Sequence, residues 1–246
     1  MIQGLYTATA AMALEAMKPE WIGHNLSNMN TFGYKEVVSS RDFRRELSAA
    51  ELASMGKTFM RVGGGVMIEG STINLAQGPL VTTGNPLDLA LAGEGFFSIR
   101  TADGDRYTRG GLFHRDADGY LVTVQGDRVL GNEGPVKLGE GLIVVDSAGN
   151  ISAGGEAIDQ LKLVNFDHPE ALGLAEGGLY AAGSAEPLSS ANIAVKQGFL
   201  EGANVDVTTA LVELMMALRS YQAGLKLFQL QDSTLEKAVN QVGRVV

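Results

Sequence analysis

Glycine placement constrains this chain more than any other feature. Of its 32 glycines, 26 fall between Val62 and Ala203. The flanking stretches hold only Gly4, Gly23, Gly33, Gly56, Gly224 and Gly243. Glycine weakens helix interiors and serves turns. The pattern therefore predicts helical ends around a middle of short strands and turns.

The C-terminal end carries the matching periodicity. Steps of three and four residues join Leu211, Leu214, Leu218, Tyr221, Leu225, Phe228, Asp232, Leu235, Val239 and Val242, and only Asp232 breaks the seam. Asn204 or Asp206 is suited to the N-cap. At the N-terminal end the same steps join Leu5, Ala8, Met12, Glu15, Pro19, Ile22, Leu26 and Met29, with Glu15 and Pro19 as exceptions. Pro19 predicts a kink near Lys18 or a restart with proline in the first turn. Thr31-Phe32-Gly33 reads as the stop, with Gly33 able to take a left-handed conformation. Two such seams can pair as a private hairpin against the middle domain, or pack against the same helices of other copies.

In the middle, apolar runs such as Leu89–Leu91, Phe96–Ile99, Tyr120–Val124, Leu142–Val145 and Leu161–Val164 alternate with Asp103-Gly104, Asp118-Gly119, Gly126-Asp127, Gly149-Asn150 and Gly154-Gly155. That is the spacing of short β-hairpins. The expected fold is α+β: N- and C-terminal helices pairing as a coiled coil, with a glycine-rich, mainly-β middle domain. The expected boundaries are an N-terminal helix over 1–34, an extended linker over 35–65, the β-rich domain over 66–203 and the C-terminal helix over 204–246.

Constellations that carry chemistry fail on spacing. Gly56-Lys57-Thr58 lacks the glycine a phosphate loop needs five places earlier, where Glu51 stands. Gly93-Glu94-Gly95 is followed by Ser98 where a dinucleotide loop requires a small apolar residue or glycine. Asp116-Ala117-Asp118-Gly119 places its glycine at position four of a calcium loop instead of six, which suits a hairpin turn. His24, His114 and His168 are isolated, and cysteine is absent. Converging carboxylates could still act as an acid/base pair, which keeps a glycan-binding or glycan-cleaving β domain as an alternative. A net charge of −9 without a basic run argues against nucleic acid and anionic membrane. No apolar run is long enough for a membrane span, and the start lacks the pattern of a secretory signal.

Four blocks carry more specific information. The first is Asn25-Leu26-Ser27-Asn28-Met29-Asn30-Thr31-Phe32-Gly33-Tyr34-Lys35, and the second runs from Thr83-Gly84-Asn85-Pro86-Leu87-Asp88 through Gly93-Glu94-Gly95-Phe96-Phe97. The third is Tyr107-Thr108-Arg109-Gly110-Gly111-Leu112-Phe113 with Asp118–Thr123, and the fourth is Gln197–Asp206, which contains Leu200-Glu201-Gly202-Ala203-Asn204. In this order they resemble the bacterial flagellar basal-body rod and hook axial proteins. Phe32 stands where that family usually has proline, and Ser27 where it has alanine. The length is similar to proximal or distal rod proteins rather than to the longer hook protein.

The resemblance implies a structural subunit, with no catalytic, cofactor or metal site. Such subunits polymerise through terminal helices into the axial shaft between motor and hook; a hook or hook-junction protein is the alternative. It implies export as an unfolded chain by the flagellar type III apparatus to the basal body, in the periplasm or cell-wall zone. The partners it implies are other copies, other rod and hook axial proteins, the export apparatus and the surrounding ring proteins. The expected interface residues are Leu5, Met12, Ile22, Leu26, Leu211, Leu214, Leu218, Leu225, Phe228 and Leu235. The family-motif residues are Asn25, Asn28, Thr31, Gly33, Asp88, Gly93, Gly95, Tyr107, Arg109 and Asn204. Asn25, Asn28 and Gly33 would fix the chain's exit from the inner helix, and Asp88, Tyr107 and Arg109 would hold the β domain.

Overall fold

The computed structural model describes residues 18–39, 71–167, 172–183, 186–189 and 193–242. The chain divides into two compact units. One comprises Met1–Ser27, Val37–Thr72 and Asp206–Val246, the other Asn28–Glu36 and Ile73–Val205. Helix α1 covers residues 18–27 and α2 covers Val207–Val242.

Short strands fill the rest. The first nine are β1 (Val37–Ser39), β2 (Ser71–Ile73), β3 (Leu80–Thr82), β4 (Leu89–Ala92), β5 (Phe96–Thr101), β6 (Gly104–Thr108), β7 (His114–Arg115), β8 (Leu121–Val122) and β9 (Arg128–Val129). Then follow β10 (Ile143–Val145), β11 (Asn150–Ala153), β12 (Glu156–Gln160), β13 (Leu163–Phe166), β14 (Gly173–Leu174), β15 (Tyr180–Ala181), β16 (Pro187–Ser189), β17 (Ala194–Gln197) and β18 (Phe199–Glu201). The largest sheet runs β14-β15-β6-β5-β9-β8-β7, with β13 joining β5 to β16. A separate meander is β10-β11-β12, and β17 pairs β4 while β18 pairs β3.

Strand β5 explains how the β unit builds its core. Successive side chains point to opposite faces. Phe97 and Ile99 enter a cluster with Leu89, Leu91, Phe113, Leu121 and Val129. Phe96 enters a second cluster with Tyr107, Phe166 and Tyr180. There Phe96 meets Tyr180 edge-on at 5.4 Å and Tyr107 meets Phe166 at 4.9 Å. Both faces of β5 are thus buried from Phe96 to Ile99, the polar Ser98 included.

The hairpin turns reuse one five-residue design. The Asp116 amide donates to the Tyr120 carbonyl, while Asp116 Oδ1 accepts from the Asp118 and Tyr120 amides at 2.9 and 2.7 Å. Asp146 Oδ1 accepts from Ala148 and Asn150 in the same way, both at 2.9 Å. Thr123 closes a third such turn through its hydroxyl, which accepts from Asp127. In each turn the fourth residue is glycine, and Gly119, Gly126 and Gly149 all have positive φ. Asp116 Oδ1 is thus engaged by the turn's own amides, as a hairpin turn requires.

The expected α+β fold with paired terminal helices is corrected. Strand is the commonest regular element among the described residues, with α-helix there confined to α1 and α2, and a coiled-coil pairing of the two ends is not shown. Heptad spacing places side chains on one face but does not supply a partner for that face. A closed seam would shield its leucines; instead Leu211, Leu218, Leu225 and Phe228 are 43%, 45%, 37% and 41% exposed.

Candidate functional site

Within the β unit, the segment that follows the N-terminal helix is held by a buried cluster of charges. Lys35 Nζ lies 2.6 Å from Glu201 Oε1, and both side chains are fully buried. Lys35 also donates to the Ala76 carbonyl at 2.8 Å, and the Gly78 amide donates to the same Glu201 oxygen at 2.9 Å. Arg109 Nη1 faces Glu201 Oε2 at 3.7 Å, and Nη2 donates to the Gly93 carbonyl at 2.7 Å. Glu201 therefore serves two cations drawn from distant parts of the chain. Burial pushes the Lys35 ammonium below its ordinary value, against the hydrogen bond and charge of Glu201. Burial likewise lowers Arg109, and Glu201 opposes it.

Backbone contacts seat the same segment. The Gly33 amide donates to the Glu201 carbonyl at 2.7 Å. Gly33 has a φ of 73°, and a Cβ there would collide with the backbone of Arg109 and Gly110. A left-handed conformation and close backbone approach both require glycine. Asn204 accepts from the Glu36 amide at 2.7 Å and donates to the carbonyls of Asn74 and Ala76 at 2.8 and 2.9 Å. Tyr34 and Tyr180 are buried beside Lys35, and burial pushes the Tyr34 hydroxyl up to about 12.

The other motif residues take separate places. In the helical unit, Asn25 pairs with the backbone of Val37 from both ends of its amide, donating at 2.7 Å and accepting at 2.8 Å. Asn28 accepts from the Thr31 hydroxyl at 3.3 Å. Asp88 accepts from Asn85 at 2.8 Å, and its carbonyl accepts from the Gly198 amide. A Cβ at Gly95 would strike Ile193, and Tyr107 stands opposite Tyr180 in the β6–β15 register. Lys35 and Glu201, which tie the cluster together, lie inside the quoted blocks but were not among the expected site residues.

The expected interface residues divide clearly. Leu5 and Met12 lie outside the described residues. Ile22 and Leu26 are half-buried on α1. On α2, Leu214 is half-buried, whereas Leu211, Leu218, Leu225 and Phe228 are exposed; the side chain of Leu235 lies outside the description. Val212, Met215, Met216, Leu227 and Leu230 are exposed as well. Asp206, not Asn204, caps α2: its carboxylate accepts from the Thr208 amide at 3.0 Å and the Thr209 hydroxyl at 2.7 Å. Among the described residues no group of histidine and carboxylate side chains could hold a metal, and no helix is long and apolar enough to cross a membrane.

Residues 196–242, spanning β18, Asn204 and α2, match the model for the C-terminal region of flagellar basal-body rod FlgEFG proteins. Residues 90–155 match the model for the D1 domain of flagellar hook protein FlgE/F/G. The flagellar basal-body rod protein FlgG of Bacillus subtilis is 31% identical over 98% of this chain and 99% of its own length. The chain belongs to the flagellar basal-body rod protein family. FlgG of Agrobacterium fabrum is 32% identical over 94% of this chain and 96% of its own. A second type of rod protein, FlgF of Caulobacter vibrioides, is 28% identical over the full length of both chains. In this rod-family chain, Gly33, Lys35, Gly93, Arg109, Glu201 and Asn204 meet within the β unit, while α2 leaves an apolar face exposed.

Proposed function

We propose that this chain is a structural subunit of the flagellar basal-body rod, part of the axial shaft between motor and hook, and not an enzyme. The observation that carries the reading is the apolar face of α2 in a rod-family chain. Leu211, Leu218, Leu225 and Phe228 remain exposed on the isolated subunit. Full burial of such a side chain from water contributes about 1.5–3 kcal/mol, so covering the 37–45% still exposed on each contributes somewhat under half of that. Contacts between unlike surfaces of successive copies, related by a rotation that does not close, give an open helical assembly. Other copies and other rod or hook axial proteins are the partners that fit this face. Delivery by the flagellar type III export apparatus and passage through the surrounding rings follow from the same reading.

Leu218→Glu with Leu225→Glu tests it. The doubly substituted subunit should stay folded and soluble, fail to enter basal bodies and fail to restore swimming to a strain lacking the gene. Normal swimming with that variant would refute the assembly role of α2. A hook or hook-junction position is the second reading, since the matched D1 model is described from the hook protein. Immunogold labelling along purified hook–basal bodies separates the two, and it also places the chain along the rod.

A further inference from the structure

We infer that Glu201 is a completion lock, which keeps the β unit from closing until the chain has been delivered almost to its last helix. The cluster has an uneven order along the sequence. Its two cations, Lys35 and Arg109, come early, and the carboxylate that holds both comes at position 201. Side-chain exposure is 0% for Lys35, 2% for Arg109 and 0% for Glu201. Any chain made N-terminus first therefore presents both cations long before their anion. Burying an unpaired cation is far more costly than leaving it in water. Arginine has no neutral form to escape into.

The segment around Glu201 closes several other gaps at the same moment. Strand β17 pairs β4 from Ala194↔Ala92 to Gln197↔Leu89, and β18 pairs β3 from Phe199↔Thr82 to Glu201↔Leu80. Gln197 covers strand β10 by donating to the Ile143 carbonyl at 2.9 Å and accepting from the Val145 amide at 3.3 Å. The Gly198 carbonyl accepts from the Thr83 and Gly84 amides at 2.8 and 3.1 Å. Without residues 194–204, β3, β4 and β10 lose these partners and two cations lose their counter-ion. The incomplete chain stays open, and the last strand shuts it.

Two arms test the lock. In the full-length protein, Glu201→Gln keeps the side chain's shape and removes only the charge. It should raise the rate of native-state proteolysis of the β unit on the order of 100-fold. The triple variant Lys35→Met, Arg109→Met, Glu201→Leu removes all three charges and should return to within about tenfold of the parent. A Glu201→Gln protein as resistant as the parent, or a triple variant as labile as Glu201→Gln, would overturn the lock. In the second arm, ribosome-stalled chains expose residues up to 198 or up to 230 outside the tunnel. Protease resistance of the β unit should appear only in the longer chain, and not in the longer chain carrying Glu201→Gln. Resistance already present at 198 would overturn the proposal as well.

Discussion

The β unit and the C-terminal helix solve the problem of apolar surface in opposite ways. In the β unit, Phe97, Ile99 and Val129 are completely buried, and even three charged side chains are withdrawn from water around Glu201. Along α2, leucines, methionines and a phenylalanine remain 37–63% exposed. A sheet of short strands can close on itself because its turns return each strand to its neighbour. A 36-residue helix extends on the order of 54 Å and has no means of covering its own side. Within one chain, then, one region encloses its apolar side chains and the other leaves many of them exposed.

The sharpest way to break that comparison is to attack the closed region. Phe97→Ala removes a ring with 0% exposure that packs edge-on against Phe113 at 5.2 Å. It should cost about 3–5 kcal/mol. Denaturant unfolding followed by tryptophan-independent far-UV dichroism measures it; a cost under about 1 kcal/mol would show that the cluster is not the unit's principal core.

Alkaline pH reaches the same region through Tyr34 and Tyr180. Burial raises both hydroxyls, Tyr34 to about 12. A raised acid holds its proton longer in the folded state, so the stabilisation is complete below the ordinary value near 10 and is lost as pH rises through the folded value. Lys35 acts with the opposite sign. Its lowered value means the unfolded chain binds more protons between that value and 10.5, so its contribution rises with pH in that window. Thermal unfolding above pH 10 should therefore fall steeply in the parent, and Tyr34→Phe should flatten the fall. An unchanged slope in Tyr34→Phe would remove Tyr34 as the cause.

A smaller effect belongs to the root of the helix. Asp206 is held below the usual carboxylate range by the Thr209 hydroxyl and then by the Thr208 and Thr209 amides. Its lowered value places the capping contribution above the ordinary carboxylate value, to be lost as pH falls through the folded one. Asp206→Ala should lower the helical dichroism of α2 at pH 7 and abolish the part of its acid dependence that the parent shows. Equal helicity in both proteins at pH 7 would show the cap to be dispensable.

Much of the closed region was legible in the sequence. Asp118-Gly119 and Gly149-Asn150 mark turns because only glycine takes their positive φ without strain; the run Phe96–Ile99 lies within β5, and Leu142–Val145 contains β10. The buried charges were not legible. Lys35 and Glu201 stand in separate sequence blocks and meet across 166 positions. Periodicity and turn chemistry are local, so neither reports a contact at that separation. Both Asn204 and Asp206 suit a helix cap by residue type; Asp206 takes that role, while the Asn204 side chain serves Glu36, Asn74 and Ala76. The heptad pattern of α2 was plain, but it spoke only of the helix. It described a face that wants cover, and the pairing with the N-terminal helix was an added assumption about what provides it.

Leu225→Gln puts that distinction to its finest test. Were the α2 seam a private core, truncating and polarising a seam leucine would cost about 2–5 kcal/mol, as it does at buried leucines. At 37% exposure Leu225 keeps just over a third of its surface in water. Its replacement should shift the stability of the isolated subunit by no more than about 1 kcal/mol, below the cost at a fully buried leucine, because a partly exposed position contributes less to folding. Thermal melts of the dilute parent and variant measure this directly. The same variant at concentrations where the parent associates should sediment as the smaller species, since the lost contact lies between molecules. A large drop in the melting temperature of the dilute monomer would place Leu225 in a core of its own chain, and would erase the contrast between the two regions at that residue.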